Sequence, residues 1–335
     1  MMRGWAVGGR PGGPGRLVSV SRDVPEPAAD EVLVRVKVCG VCRTDLHLAD
    51  HDLAPKRPEV IPGHEVVGEV VALGESATRF SMGDRLGIAW LRRTCGTCKE
   101  CRNGQENLCR FSEYTGWDAD GGFAEYAVVP EAFAYELPDG PSDEEVAPLL
   151  CSGIIGYRAL IRTNVPSNGT LGIYGFGASA HLTAQLAIAE GLEVHVVTRD
   201  EGARHLAMEL GAASACSSDE RPPVALDGAI LFAPVGSLVP VALSALEQGA
   251  TLAVAGIHLS DIPALDYKEH LFRERTLTSV TANTRADGEE LLAKASALDV
   301  RARVTSYAFD DVDQALTDLA DGRITGAAVA RIGEG

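Results

Sequence analysis

Residues 171–200 read LGIYGFGASAHLTAQLAIAEGLEVHVVTRD. The apolar run Leu171–Tyr174 predicts a strand, Ala180–Glu190 a helix, Val194–Thr198 a second strand and Ala203–Leu210 a second helix. Apolar strands alternating with helices are the pattern of βαβ units on a parallel sheet. Gly175, Gly177 and Ala180 form G-x-G-x-x-A between the first strand and the first helix. The first glycine suits a tight turn, the second lets backbone approach a pyrophosphate, and a small third residue allows close helix–strand packing. Alone the motif says little, but at the opening of a βαβ unit it points to a dinucleotide. About 20 residues on, an acidic residue would bind the ribose hydroxyls of NAD. Thr198 stands there instead, with Arg199 beside it able to meet a 2′-phosphate bidentately, so NADP(H) is favoured over NAD(H). Two alternatives stay open: Asp200 swinging into the acid's role, and Arg199 as a solvated turn residue.

Downstream, Leu226–Phe232 and Ala250–Ala255 read as further buried strands, the second introduced by Glu247-Gln248-Gly249 at a helix end. After about residue 290 short strand-like and helical pieces return, with Asp310–Ala320 an acidic amphipathic helix, in a tail free to pack on either domain. Upstream of residue 150 the texture is different. EVLVRVKV at 31–38 alternates apolar and polar as a half-buried strand does. Val66–Leu73, Gly83–Ile88 and Phe123–Val129 are short β-rich runs broken by Gly, Pro and Asp, which suggests an antiparallel, partly barrel-like domain whose loops carry function.

The chain has 335 residues, enough for two domains, and its composition, 46% hydrophobic and 23% charged, is that of a globular protein. Thirty basic against 47 acidic side chains give a net charge of −17, which argues against nucleic acid or anionic lipid as a partner. With no signal-peptide core and no run of about 18 apolar residues, a cytoplasmic location away from membranes is expected.

Eight cysteines in such a chain suggest metal ligation before a disulfide framework. Cys95, Cys98, Cys101 and Cys109 lie in TCGTCKECRNGQENLC, where small and turn-forming residues let four thiolates face one tetrahedral zinc. Four protein ligands leave no open position, so this ion would stiffen a loop. Two disulfides or an iron–sulfur cluster are the competing readings. A catalytic zinc needs three ligands and one open position. Cys42 in CGVCRTDLH, His64 in PGHEVVGEV and Cys151 in APLLCSGIIGYRAL are the candidates. Cys39 and Cys216 read as buried small hydrophobes.

GHEVVGEV, the four-cysteine lobe, the late cysteine and the dinucleotide motif, in that order, resemble the zinc-containing alcohol dehydrogenases of the medium-chain dehydrogenase/reductase family. GIAWL at 87–91 and Thr44 look similar to yeast and bacterial enzymes acting on short primary alcohols, and GFGASAH with GIHLSDIP resembles a bacterial subgroup. The resemblance implies an α/β plus β fold: a GroES-like zinc-binding catalytic domain at 1–152, a six-stranded Rossmann doubly wound parallel-sheet domain at 153–288, and a C-terminal return to the first domain at 289–335. It implies two Zn2+ per subunit. One is catalytic, held by Cys42, His64 and Cys151 with the Glu65 carboxylate nearby, and Asp45 orients His64; the other is structural, in the four-cysteine lobe. Thr44 would accept the alcohol's proton and pass it through the cofactor ribose to His47 near solvent, although His47 taken alone reads as a surface histidine. Arg43 would meet the pyrophosphate, and the family's second such arginine is replaced by Gly326-Ala327-Ala328-Val329. Trp90 would wall the alcohol site, narrowing it toward unbranched primary alcohols, with Trp117 shaping the entrance; core packing is the alternative reading of Trp90.

The expected function is therefore interconversion of small primary alcohols and aldehydes by hydride transfer to or from a nicotinamide cofactor, in a homo-oligomer, dimer or tetramer. A reductase of larger or aromatic aldehydes using NADPH is the alternative. From other classes come a zinc-ribbon nucleic-acid-binding protein, opposed by the net charge, and a catalytically silent NADP(H) sensor, for which an open metal site and a proton relay have no use.

Overall fold

The computed structural model describes residues 1–333. Its strands in chain order are β1 (Met2–Val7), β2 (Leu17–Arg22), β3 (Glu31–Val41), β4 (Val66–Leu73), β5 (Arg85–Ile88), β6 (Leu91–Arg93), β7 (Glu113–Tyr114), β8 (Tyr126–Pro130), β9 (Ala134–Glu136), β10 (Thr170–Tyr174), β11 (Glu193–Val197), β12 (Ser214–Cys216), β13 (Leu226–Leu231), β14 (Leu246–Val254), β15 (Thr276–Ser279), β16 (Val304–Ala308) and β17 (Ala327–Arg331). The helices are α1 (Arg43–Ala49), α2 (Lys99–Arg102), α3 (Asp143–Val146), α4 (Ser152–Thr163), α5 (Ala178–Ala189), α6 (Glu201–Glu209), α7 (Leu238–Ala245), α8 (Tyr267–His270), α9 (Arg285–Ala297) and α10 (Val312–Ala320). No described helix is long and apolar enough to cross a membrane.

The chain forms two compact units. The first comprises Met1–Cys151, Ala282–Ser296 and Arg301–Gly335, and the second Ser152–Thr281 and Ala297–Val300. The tail thus resolves onto the first unit.

The first unit is built on β3. Its eleven residues, buried at all but Arg35 and Lys37, pair on both edges, with β4 along one side and with β8 and then β17 along the other. The sheet runs β16-β17-β3-β4-β5-β9, antiparallel except for the parallel β16–β17 pair. Val32, Val34, Val36, Val66, Leu86, Ile88 and Phe123 are fully buried in its core, to which α10 adds Val312, Ala315 and Leu316. The helix expected at Asp310–Ala320 begins as a 3-10 turn, Phe309–Asp311, before it becomes α10.

The second unit is a six-stranded, all-parallel sheet in the order β12-β11-β10-β13-β14-β15. The order reverses direction at β10, the doubly wound arrangement in which ligands bind beyond the carboxyl ends of the strands. One expectation is corrected here. Glu247-Gln248-Gly249 does not end a helix, because α7 stops at Ala245 and these residues belong to β14. The register with β13 slips between Leu226↔Leu246 and Gly228↔Thr251, so the stretch is a bulge, and Gly249 supplies its left-handed residue at φ +76°.

Candidate active site

Cys42 ends the turn after β3 and caps α1. Its Sγ accepts from the Thr44 amide at 3.3 Å, and Asp45 reaches back to the Cys42 amide at 3.0 Å, closing a capping box in which a thiolate replaces the usual hydroxyl. The other Asp45 oxygen accepts from the Gly63 amide at 2.9 Å. Asp45 therefore ties the loop carrying His64 to the helix carrying Cys42. It also lies 3.3 Å from His64 Nδ1, a close contact without hydrogen-bond geometry, so Nδ1 has no bonded partner.

His64 Nε2 is 3.2 Å from Cys42 Sγ and 3.3 Å from Cys151 Sγ. Together with a Glu65 oxygen these atoms all lie within 4.8 Å of one another. His64 and Glu65 are buried, and Glu65 Oε1 has no hydrogen-bond partner. Burial, then the neighbouring Cys42, pushes the Glu65 carboxyl well above its ordinary range. Burial also opposes ionisation of Cys42, but the Cys151 thiol and His64 outweigh it and hold Cys42 low, while the bond to Cys42 and then burial push Cys151 up. Two thiols and a carboxyl cannot all ionise in one buried space unless a cation joins them, and a soft, borderline cation suits sulfur and imidazole donors. The donor set fits zinc.

The four-cysteine lobe is similarly gathered. Sulfur separations are 3.4 Å for Cys98–Cys101, 3.6 Å for Cys95–Cys109 and 4.0 Å for Cys95–Cys101, bracketing the roughly 3.8 Å edge of a tetrahedron with Zn–S bonds of about 2.3 Å. No cysteine is disulfide-bonded. Amides of Thr97 and Cys98 hold the Cys95 thiol down to about 6.

Thr44 and His47 sit three apart on α1, hence on one face. Arg43 is exposed in the first turn of that helix. Trp90, between β5 and β6, packs its ring edge to face with His64, 4.7 Å between centroids. It stacks on Tyr114 at 5.0 Å and on Trp117 at 5.9 Å, and Lys56 lies 3.9 Å over the Trp117 ring. The two tryptophans singled out in the sequence thus share one aromatic stack with Tyr114, which sequence reasoning missed.

In the second unit Gly175 has φ +87°, and a Cβ there would fall 2.8 Å from the Ala233 amide. Gly177 caps α5 with no side chain, and a Cβ would meet nothing within 4 Å. Ala180 is fully buried. These are the turn, the open approach and the tight packing that the motif predicts, at the N-terminus of a twelve-residue helix. Thr198 and Arg199 follow β11, and Arg204 Nη1 donates 2.9 Å bonds to both their carbonyls. Arg199 is exposed, and Asp200 is engaged as the cap of α6, accepting from the Ala203 amide at 2.7 Å.

Residues 28–139 match the alcohol dehydrogenase GroES-like domain. The chain is 57% identical to "Probable alcohol dehydrogenase AdhA" of Mycobacterium tuberculosis over 99% of its length and 97% of that protein's, and 34% identical to an alcohol dehydrogenase of Geobacillus stearothermophilus over 92% and 94%. Among solved structures it resembles a cinnamyl alcohol dehydrogenase of Sorghum bicolor, with TM-score 0.89, 27% identity, and 98% and 97% of the two chains covered. With both thiolate clusters in place on this fold, the chain belongs to the zinc-containing alcohol dehydrogenases of the medium-chain dehydrogenase/reductase family.

Proposed function

We propose that this alcohol dehydrogenase interconverts small primary alcohols and aldehydes with NADP(H) in preference to NAD(H), using a catalytic zinc at Cys42, His64 and Cys151 and a structural zinc at Cys95, Cys98, Cys101 and Cys109. The observation that carries the reading is the cluster of two half-buried thiols, one buried imidazole and one buried carboxylate whose ligand atoms lie within 4.8 Å. Zinc there supplies Lewis acidity toward the substrate oxygen, and the nicotinamide supplies or accepts the hydride. Cys42 and Cys151 balance the metal's charge, and Asp45 holds the two ligand loops together. Glu65 is the spare carboxylate beside the ligands. The Thr44 hydroxyl takes the proton from the alcohol and His47 receives it near the surface. Trp90, with Trp117 behind it, presents a flat wall that limits branching near the reacting carbon.

The preference for NADP(H) is supported by the Asp200 carboxylate, engaged in capping α6, and by the exposed Arg199 guanidinium at the strand end. Gly175, Gly177 and Ala180 would cradle the pyrophosphate, with Arg43 as its counter-charge. For the domain division at 1–152, 153–288 and 289–335, the two compact units support the first boundary within a residue, whereas the chain rejoins the first unit at Ala282, ahead of 289; the last two residues lie outside the described ones. A homo-oligomer is supported by the open outer edge of β15. A cytoplasmic location suits eight cysteines none of which is disulfide-bonded. The three-ring stack beside His64 favours, as a second reading, reduction of aromatic aldehydes.

The deciding experiment measures initial rates of the zinc-loaded protein on aliphatic and aromatic alcohols and aldehydes with each cofactor, beside Cys42→Ala. Turnover that is zinc-dependent and lost in Cys42→Ala is expected, with kcat/KM higher for NADP(H). Unchanged turnover in Cys42→Ala would exclude this metal site, and no turnover on any pair would favour the sensor.

A further inference from the structure

The residues after α1 turn back on it. Asp50 N donates to Leu46 O at 2.8 Å and Leu53 N to His47 O at 3.0 Å, with His51 between them in the left-handed region at φ +64°. This reversal carries Asp52 over the helix end, and its Oδ2 lies 3.1 Å from His47 Nδ1. Farther along, the same loop is fastened to the aromatic stack. Trp117 Nε1 donates to Ala54 O at 2.9 Å, and Lys56 donates to both oxygens of Asp118 at 2.7 and 2.9 Å. Asp52 is thus held from both sides although its side chain is 66% exposed.

We propose that Asp52 is a positioning residue for proton transfer, acting through His47. The inference rests on the relay reading of His47. A carboxylate 3.1 Å from Nδ1 makes Nδ1 the protonated nitrogen, so the proton that leaves the alcohol by way of Thr44 is taken up and released at the other ring nitrogen, Nε2. The carboxylate also steadies the imidazolium between the two transfers. An isolated exposed ion pair contributes little, but one whose backbone is pinned at both ends fixes ring orientation and tautomer.

The neighbouring charges leave this pairing undisturbed. Arg43 lies one turn earlier on α1, and exposed His51 follows. Asp50 is taken by Arg16 at 2.7 Å and by the Gly12 amide. On α10, which packs against α1, Asp313 accepts from the Gly15 and Leu17 amides, and Asp318 is engaged by Tyr307, Gln314 and Arg323.

The test compares Asp52→Asn, Asp52→Glu and His47→Gln as zinc-loaded enzymes. In Asp52→Asn the amide can donate to Nδ1 and so fix the wrong tautomer. Its kcat for alcohol oxidation in dilute buffer is expected to fall about 10-fold, part of what positioned proton transfer contributes, with alcohol KM within about two-fold. The loss should be recovered by raising the concentration of a small buffer base, and Asp52→Glu should retain most of the rate. Wild-type rates in Asp52→Asn at every buffer concentration, or a loss that buffer does not recover, would overturn the proposal. His47→Gln separates the two ideas. If it is slow and buffer-rescued while Asp52→Asn is normal, Asp52 alone is wrong; if it is itself normal, the relay reading fails and the role of Asp52 with it.

Discussion

Gly40 and Glu65 show how little space the metal site leaves. A Cβ at Gly40 would lie 1.8 Å from Glu65 Oε2 and 2.7 Å from Glu65 Cβ, so the carboxylate occupies the volume that the missing side chain vacates. Gly40→Ala should displace Glu65 and lower kcat roughly 10- to 100-fold, as losses of supporting groups around a metal do, while costing about 1–3 kcal/mol from overpacking. Rates and the protein's zinc content, measured together, check this; an unchanged kcat would mean that Glu65 is a bystander. In the second unit, the proposed preference for NADP(H) predicts that Arg199→Ala raises KM for NADP(H) about 10-fold and leaves that for NAD(H) within two-fold, since only the first carries the extra phosphate. An equal rise for both would make Arg199 a general phosphate contact.

Such residues also mark what the sequence could disclose. Cysteine and histidine are sparse and chemically distinctive, so Cys42, His64, Cys151 and the four-cysteine lobe stand out of the chain, and the structure gathers them into two groups. Gly40, Tyr114 and Asp52 did not stand out. Gly40 matters through Glu65, 25 positions away, and Tyr114 through Trp90, 24 positions away, and neither contact leaves a local pattern. Asp52 depends on a left-handed histidine, a backbone state that composition does not announce.

Among elements, strands were read better than their ends. β4 begins and ends at the expected residues, whereas β14 starts four residues before the expected Ala250 because a glycine that commonly closes helices instead relieves a bulge. The element with most consequence for the metal lobe is the N-terminus of α9. Arg285 meets the Glu106 carboxylate with both Nε and Nη2, its amide donates to Glu106 Oε1 at 2.8 Å, and its guanidinium lies 4.5 Å over Phe133. Burial works against the Glu106 charge, but the bonds from Arg285 outweigh it and hold the carboxyl below its ordinary 4.5. A depressed folded value means that the stabilisation is complete above the unfolded value and is lost as pH falls through the folded one. Arg285→Ala should therefore lower stability by about 1–3 kcal/mol at neutral pH, and the gap from wild type should close below pH 4.5. Thermal melts across that range measure it; a gap independent of pH would assign the loss to the Phe133 contact instead.

For the molecule as a whole, the first unit is assembled from separated parts of the chain. β17 pairs with β3 from Val38 to Val41, with Val329 opposite Gly40, so the C-terminal strand supports the strand that leads into Cys42. The sequence left the tail's destination open because a short alternating strand such as β17 carries no record of its partner. Deleting residues 304–333 should remove β16, β17 and α10, leave the β3 edge unpaired, and abolish zinc retention at Cys42, His64 and Cys151 together with all activity. Metal content after dialysis decides the matter, since retention of both ions would show that the sheet tolerates the loss.

The pairing of β17 with β3 also sets a timetable for synthesis. Val41 leaves the ribosome 286 residues before Ala327, which at about 5–20 residues per second is roughly 15–60 s. Throughout that interval the nascent chain carries an unclosed strand edge and the thiol of Cys42, joined later by that of Cys151, without their finished scaffold. The parallel-sheet unit, which ends at Val300, emerges complete in the meantime, so it can fold before the sheet that carries Cys42 is closed.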